Sequence, residues 1–103
     1  MQATPELITQ DECCIQYNIE LSFIQSLNEY GLIEIITVEE KPFLHTAQLS
    51  ELEKFIRLHY DLNINMEGID VIANLLKKVQ TLQNEVGHLK NRLQVYGSSD
   101  HSL

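Results

Sequence analysis

Apolar residues recur along this chain in two rhythms. Up to about residue 62 they come in short groups separated by turn-forming residues. From Met66 onward they fall at Ile72, Leu75, Val79, Leu82, Val86, Leu89, Leu93 and Tyr96, in alternating steps of three and four. That spacing keeps one stripe on one side of an α-helix for more than three heptads, the signature of a coiled-coil seam. No proline interrupts it, and at 1.5 Å per residue the helix from Met66 to Tyr96 would be about 46 Å long. Its second half has no core to cover in so small a domain, so the seam needs a partner helix. A second copy of the same chain is the most economical choice. Ile72, Val79 and Val86 at one seam position, with Leu75, Leu82 and Leu89 at the other, favour two strands in a parallel coil. Antiparallel pairing is equally open on charge grounds. Gly87 falls on the outer face and costs about 1 kcal/mol relative to Ala without breaking the seam. The polar tail Gly97–Leu103 is expected to fray.

The shorter groups predict a different architecture in front of that helix. Leu7 and Ile8 precede Thr9-Gln10-Asp11-Glu12, a capping box in which Thr9 and Glu12 satisfy each other's amides. A first helix is expected from about Gln10 to Tyr17, ended by the turn-tolerant Asn18. A second is expected from about Glu20 to Tyr30, with Ile19, Phe23, Ile24 and Leu27 inside and Gly31 as the left-handed stop. Two short helices joined by so tight a turn make a helix-turn-helix. Leu32–Val38 is rich in β-branched residues, Glu39-Glu40-Lys41-Pro42 is polar and turn-like, and Phe43-Leu44-His45 can return as a strand, which together suit a wing of two or three strands. Thr46 is a plausible cap for a third helix over about Ala47–Asp61, with the apolar stripe Leu49, Leu52, Phe55, Ile56 and then His59 or Tyr60. Leu62–Asn65 is a short break, and Asn65 caps the long helix.

The chain therefore divides into a helix-turn-helix domain with a small wing and third helix over 1–62, a long dimerisation helix over 63–97, and a flexible tail over 98–103. The expected fold class is mainly α.

Charge sharpens the picture. Of the 103 residues, 15 are acidic and seven are Lys or Arg, a net charge of −8. Residues 1–53 hold ten of the acids and only Lys41 as a base, so the front half stands at −9 and the back half at +1. Nucleic-acid affinity comes mainly from neutralising phosphates, and this front half would repel them. It would attract a basic protein. The 44% apolar content is that of a folded soluble domain. Met1–Glu6 has neither the basic start nor the apolar run of a signal peptide, and no stretch reaches the ~18 apolar residues of a membrane span, so the expected address is the cytosol.

Chemistry-bearing patterns are absent. Cys13 and Cys14 are neighbours that would point about 100° apart on a helix, one packing and one a bystander. They lack zinc-site spacing, and a vicinal disulfide would strain the backbone. His45, His59, His88 and His101 share no ligand spacing, and the four glycines form no phosphate loop. No catalytic, metal or cofactor site is expected, and the protein is read as a binding protein rather than an enzyme.

The order of helix-turn-helix, wing, third helix and long dimerising helix resembles the MerR superfamily. Within it the chain looks most like the family of the chaperone modulatory protein CbpM. The residues that carry this are Ile8–Ile15 (ITQDECCI), Gly31–Glu34 (GLIE), Arg57–Leu62 (RLHYDL), Asn65–Ile69 (NMEGI) and Leu89–Leu93 (LKNRL), within about residues 7–96. No single piece is diagnostic; order, spacing and length carry the likeness. The resemblance implies a chaperone modulator that binds the J-domain of a DnaJ-like co-chaperone, CbpA, and inhibits it, restraining its work with DnaK and its DNA binding. J-domains present a basic helix, so the partner surface is expected among Glu12, Glu20, Glu29, Glu34, Glu39 and Glu40, with Ile72, Leu75, Val79, Leu82, Val86, Leu89, Leu93 and Tyr96 making a homodimer.

The alternative is a small MerR-like DNA-binding transcriptional regulator. Such regulators place Arg or Lys on the groove-facing side of the second helix, where bidentate Arg contacts read bases. Here the exposed positions are expected to be Glu20, Ser22, Gln25, Ser26, Asn28 and Glu29, with no base among them and Gln25 roughly where those regulators carry arginine. Only Lys54, Arg57 or Lys77-Lys78 could furnish a basic surface. A sensing member would also need an effector region beyond the long helix. A coiled-coil adaptor for an unrelated partner is the third reading.

Overall fold

The structure, a computed structural model, describes residues 6–96. Its elements run β1 (Leu7–Thr9), α1 (Gln10–Tyr17), α2 (Leu21–Glu29), β2 (Ile36–Val38), β3 (Lys41–His45), a 3-10 turn (Thr46–Gln48), α3 (Leu49–Ile56), a π-turn (Arg57–Asp61) and α4 (Met66–Tyr96). The chain forms two units, one through Asp70 and one from Val71.

In the first unit the capping box forms as expected. The Glu12 amide donates to Thr9 Oγ1 at 3.0 Å, and the Thr9 amide donates to Glu12 Oε1 at 3.3 Å. Such a cap contributes about 1 kcal/mol. Asn18 ends α1 in the left-handed region (φ 54°), while the Ile19 amide reaches back to the Cys14 carbonyl at 3.0 Å. After this turn α2 buries Phe23, Ile24 and Leu27. It is one residue shorter at each end than expected. Its exit is a Schellman motif: the Leu32 amide bonds the Leu27 carbonyl at 2.9 Å and the Gly31 amide bonds Asn28 at 3.0 Å. Gly31 there has φ 75°, which only glycine adopts without penalty.

The wing differs in extent. Strand pairing was expected from Leu32, yet β2 begins at Ile36. Side chains hold the intervening backbone. Gln48 accepts from the Glu34 amide (2.8 Å) and donates to its carbonyl (2.9 Å). Asn28 Oδ1 accepts from the Ile35 amide (3.3 Å). With its backbone groups so occupied, and Ile33 turned into the core, this stretch is unavailable to a sheet ladder. β1 adds a third strand, and the antiparallel order is β1-β3-β2.

The hairpin turn is also tighter than the four-residue Glu39–Pro42 reading. Val38 pairs with Lys41, so only Glu39 and Glu40 turn the chain. Both have positive φ (51° and 68°), as a type I′ turn requires. Pro42 sits in the central strand opposite Thr37. Ladder bonds alternate sides in an antiparallel sheet. The closing Val38–Lys41 pair is hydrogen-bonded, so Pro42 turns its missing N–H away from β2, on the side where β1 has already stopped at Thr9. Two left-handed glutamates side by side are unfavourable in both backbone and charge. Replacing them by Asn-Gly is expected to raise stability by about 1 kcal/mol, or about 4–8 °C in thermal midpoint, followed by circular dichroism.

The third helix is not continuous. Thr46–Gln48 is 3-10 and makes no side-chain cap; Thr46 instead ties to Glu6, its amide donating to the Glu6 carbonyl at 3.0 Å. α3 then buries Leu52 and Phe55. From Arg57 the winding widens, with the Leu62 amide bonding the Arg57 carbonyl at 3.2 Å, the five-residue spacing of a π-turn.

Asn65 caps α4 through the Gly68 amide at 2.8 Å. A Cβ at Gly68 would meet Ile64 Cγ2 at 2.6 Å, so any larger residue here would force Ile64 to shift. Ile24, Leu27, Leu44, Leu52, Ile69 and Cys13 are fully buried and form the centre of this unit. Each large aliphatic among them contributes about 1.5–3 kcal/mol.

The described residues of the second unit are all helix. Leu75, Val79, Leu82, Val86, Leu89 and Leu93 are all exposed, as are Val71 and Leu76, and Ile72 is half-buried. The side chain of Tyr96 and residues 97–103, where the tail was expected, lie outside the described residues. Among the described residues no helix is long and apolar enough to cross a membrane.

Candidate protein-binding surfaces

The entry to α2 is built from residues far apart in sequence. Glu20 occupies the N-cap but makes no side-chain cap bond. The hydroxyl of Tyr60 accepts from the Glu20 amide instead, at 3.1 Å. The π-turn makes this possible. His59 stacks on Phe23 (centroids 4.7 Å, 19°), while Tyr60 meets the same ring edge-on at 5.3 Å and 72°. His59 Nδ1 lies 2.9 Å from the Ile64 carbonyl, which can only accept, so the proton sits on Nδ1. The residue pattern leaves His59 and Tyr60 as alternatives; the wider winding brings both to Phe23. At the far end of α2, Tyr30 donates to Glu67 Oε2 at 3.1 Å. That bond, more than burial, raises the phenol pKa. Tyr17 donates to Glu53 Oε2 at 2.8 Å, and burial followed by that bond pushes its phenol to about 12.

The six glutamates singled out from the sequence are all exposed and come from α1, α2, the α2–β2 connection and the hairpin tip. Glu12 is engaged in its capping box on α1. Glu20 and Glu29 mark the two ends of α2, with Ser22 Oγ donating to Glu20 Oε1 at 3.4 Å. Glu34 has its backbone clamped by Gln48. Glu39 and Glu40 form the hairpin tip. Along α2, Glu20, Ser22, Gln25, Asn28 and Glu29 are exposed and Ser26 is half-buried. No Lys, Arg or His occurs before Lys41. Of the bases that could offset this, Lys54 pairs with Glu51 at 3.5 Å, Arg57 stands exposed on the π-turn, and Lys77 and Lys78 belong to the second unit.

Two surface residues escaped the sequence reading. Ile15 is 80% exposed and Leu21 is 41% exposed, whereas Gln10 is buried. α1 thus turns an isoleucine outward and a glutamine inward, and hydropathy alone carries no signal of that exchange.

Cys13 is buried and Cys14 half-buried, both as free thiols. Burial, helped by its neighbour Cys14, pushes the Cys13 thiol up to about 11. Burial and then Asp11 raise Cys14. Both remain protonated at neutral pH, and a thiol is a poor nucleophile and metal ligand. Among the described residues no three His, Cys, Asp or Glu side chains gather as a metal site.

Comparison with known proteins agrees with this arrangement. Residues 8–91 match the MerR HTH family of regulatory proteins. The chaperone modulatory protein CbpM of Pseudomonas entomophila (strain L48) is 30% identical over 82 residues, covering 78% of this chain and 80% of that protein. CbpM of Pseudomonas putida (strain W619) is 32% identical over 82 residues with the same coverage. No solved structure matches. A capped helix-turn-helix with a three-stranded wing and a long helix, matched over most of its length on both counts, belongs to the CbpM family of MerR-like helix-turn-helix proteins.

Proposed function

We propose that this protein is a chaperone modulator that binds the J-domain of a DnaJ/CbpA-like co-chaperone and inhibits it. The acidic first unit provides the docking surface, and two copies pair through the seam of α4. The observation that carries this reading is the charge of the helix-turn-helix. Asp11, Glu12, Glu20 and Glu29 lie on or beside its two helices with no base among them, which favours a basic helix and disfavours phosphate. The name borne by the two Pseudomonas relatives agrees with it. Dimerisation is supported by an apolar row left in water along α4, with Val79 46%, Leu82 59% and Leu89 58% exposed. An isolated helix has little reason to keep such a row.

The MerR family match leaves a DNA-binding regulator as the second reading. It requires a basic groove-facing surface, and α2 carries none. Calorimetric titration with the isolated J-domain of the same organism's DnaJ-like co-chaperone, at low and moderate salt, separates the two. Micromolar or tighter binding that weakens as salt rises is expected. Absence of heat at both salts, with a shift of DNA fragments on a native gel, would reverse the order of the readings.

A further inference from the structure

We infer that Ile15, Leu21 and Tyr60 form the apolar centre of a docking surface whose occupant is a basic amphipathic helix. The inference rests on the function proposed above and names where the partner sits. The three side chains are 80%, 41% and 40% exposed and come from three elements of the first unit. Ile15 and Leu21 stand three residues before and after Asn18, on a turn closed by the Asn18 amide on the Ile15 carbonyl (3.3 Å) and the Ile19 amide on Cys14 (3.0 Å). Tyr60 is brought to the same turn by its hydroxyl on the Glu20 amide, next to Leu21. Its ring is held edge-on against Phe23 and also against His59, with centroids 4.9 Å apart at 88°. A tyrosine fixed in this way loses little freedom on binding, which is how rigid aromatic anchors contribute affinity.

The rim decides the occupant. Asp11 and Glu12 stand one turn before Ile15 on α1, Glu20 adjoins Leu21 and Asp61 adjoins Tyr60, while the π-turn carries Arg57 and the half-buried His59, which is stacked on Phe23. Interfaces place apolar and aromatic residues at the centre and charge at the edge. An amphipathic helix presents anchors at i, i+3, i+4 and i+7 with its basic flanks to either side, and such a helix matches this arrangement in both polarity and charge.

The test uses the full chain and two probes, the isolated J-domain and a synthetic helical peptide of Leu and Lys in heptad pattern. The double variant Ile15→Ser, Leu21→Ser removes the centre without touching a core residue or an acid. Val38→Ser, equally exposed at 41% on the edge strand β2, is the control. The double variant is expected to bind the J-domain about 30-fold or more weakly with the salt dependence retained. The control should bind like the parent, and both variants should keep the parent's melting temperature. Parent-like binding by the double variant would overturn the inference while leaving the proposed function standing. A parent silent to the J-domain that captures the peptide through Ile15 and Leu21 would retain the surface and discard the co-chaperone. A parent that binds neither probe overturns both. A lower assembly mass in the double variant would mean that a second copy covers the patch, and that too overturns the inference.

Discussion

Replacing Val79 and Leu82 together by aspartate is expected to split the proposed dimer, so that the mass in solution falls from twice the 11.9 kDa of one chain to that of one chain. In the proposed dimer the two positions are consecutive seam layers, so the pair of substitutions places four carboxylates where the helices meet. An unpaired charge in an apolar interface costs several kcal/mol. Together they should raise the dissociation constant by on the order of 1,000-fold or more. Both residues belong to the second unit, so none of the buried residues of the first is altered. Sedimentation equilibrium gives the mass, and circular dichroism should show helix lost from α4 only, since an isolated helix is marginal in water. An unchanged dimer mass would remove the seam as the interface.

Reversing Glu20 and Glu29 to lysine will weaken capture of a J-domain by about 10- to 30-fold at low salt, and by less at moderate salt. Glu20 at the N-cap and Glu29 at the last residue put a carboxylate at each end of α2. Exposed charges at an interface act mainly through long-range attraction, so the loss should fall mostly on the association rate. Glu20 also stands at the helix N-terminus, where lysine opposes the dipole and costs about 0.3–1 kcal/mol of stability. Lysine at position 29 stands at the other end, where the dipole favours it. A stopped-flow measurement separates binding from stability. An association rate equal to the parent's at low salt would take both glutamates out of the interface.

What could be read from the sequence was whatever is decided locally. The Thr9–Glu12 box, the stop at Gly31, the Asn65 cap and the period of α4 each involve residues within a turn or two of one another. They stand where the pattern placed them. The third helix departs from its pattern because its irregularity answers to a remote demand. A π-turn adds no residue type and no breaker; it exists where Phe23 is covered by both His59 and Tyr60. The wing is shorter than its composition suggests for a similar reason, since Gln48 and Asn28 occupy backbone groups of a stretch rich in β-branched residues. The acidity of the surface was plain in the residue count. Its distribution was not, because whether Glu12 is free or tied to Thr9, and whether Ile15 faces in or out, depends on what lies opposite.

The bond between Tyr60 and the Glu20 amide joins positions forty residues apart. It means that α2 cannot be cut out of this protein as a self-sufficient module. A fragment ending before the π-turn would lose the partner of its first amide and the cover of Phe23 in one stroke. Opening of the π-turn therefore also frees the Glu20 amide proton to exchange. The helix-turn-helix is complete only when the chain beyond it has folded, and it falls within one cooperative unit with a segment that its own sequence does not contain.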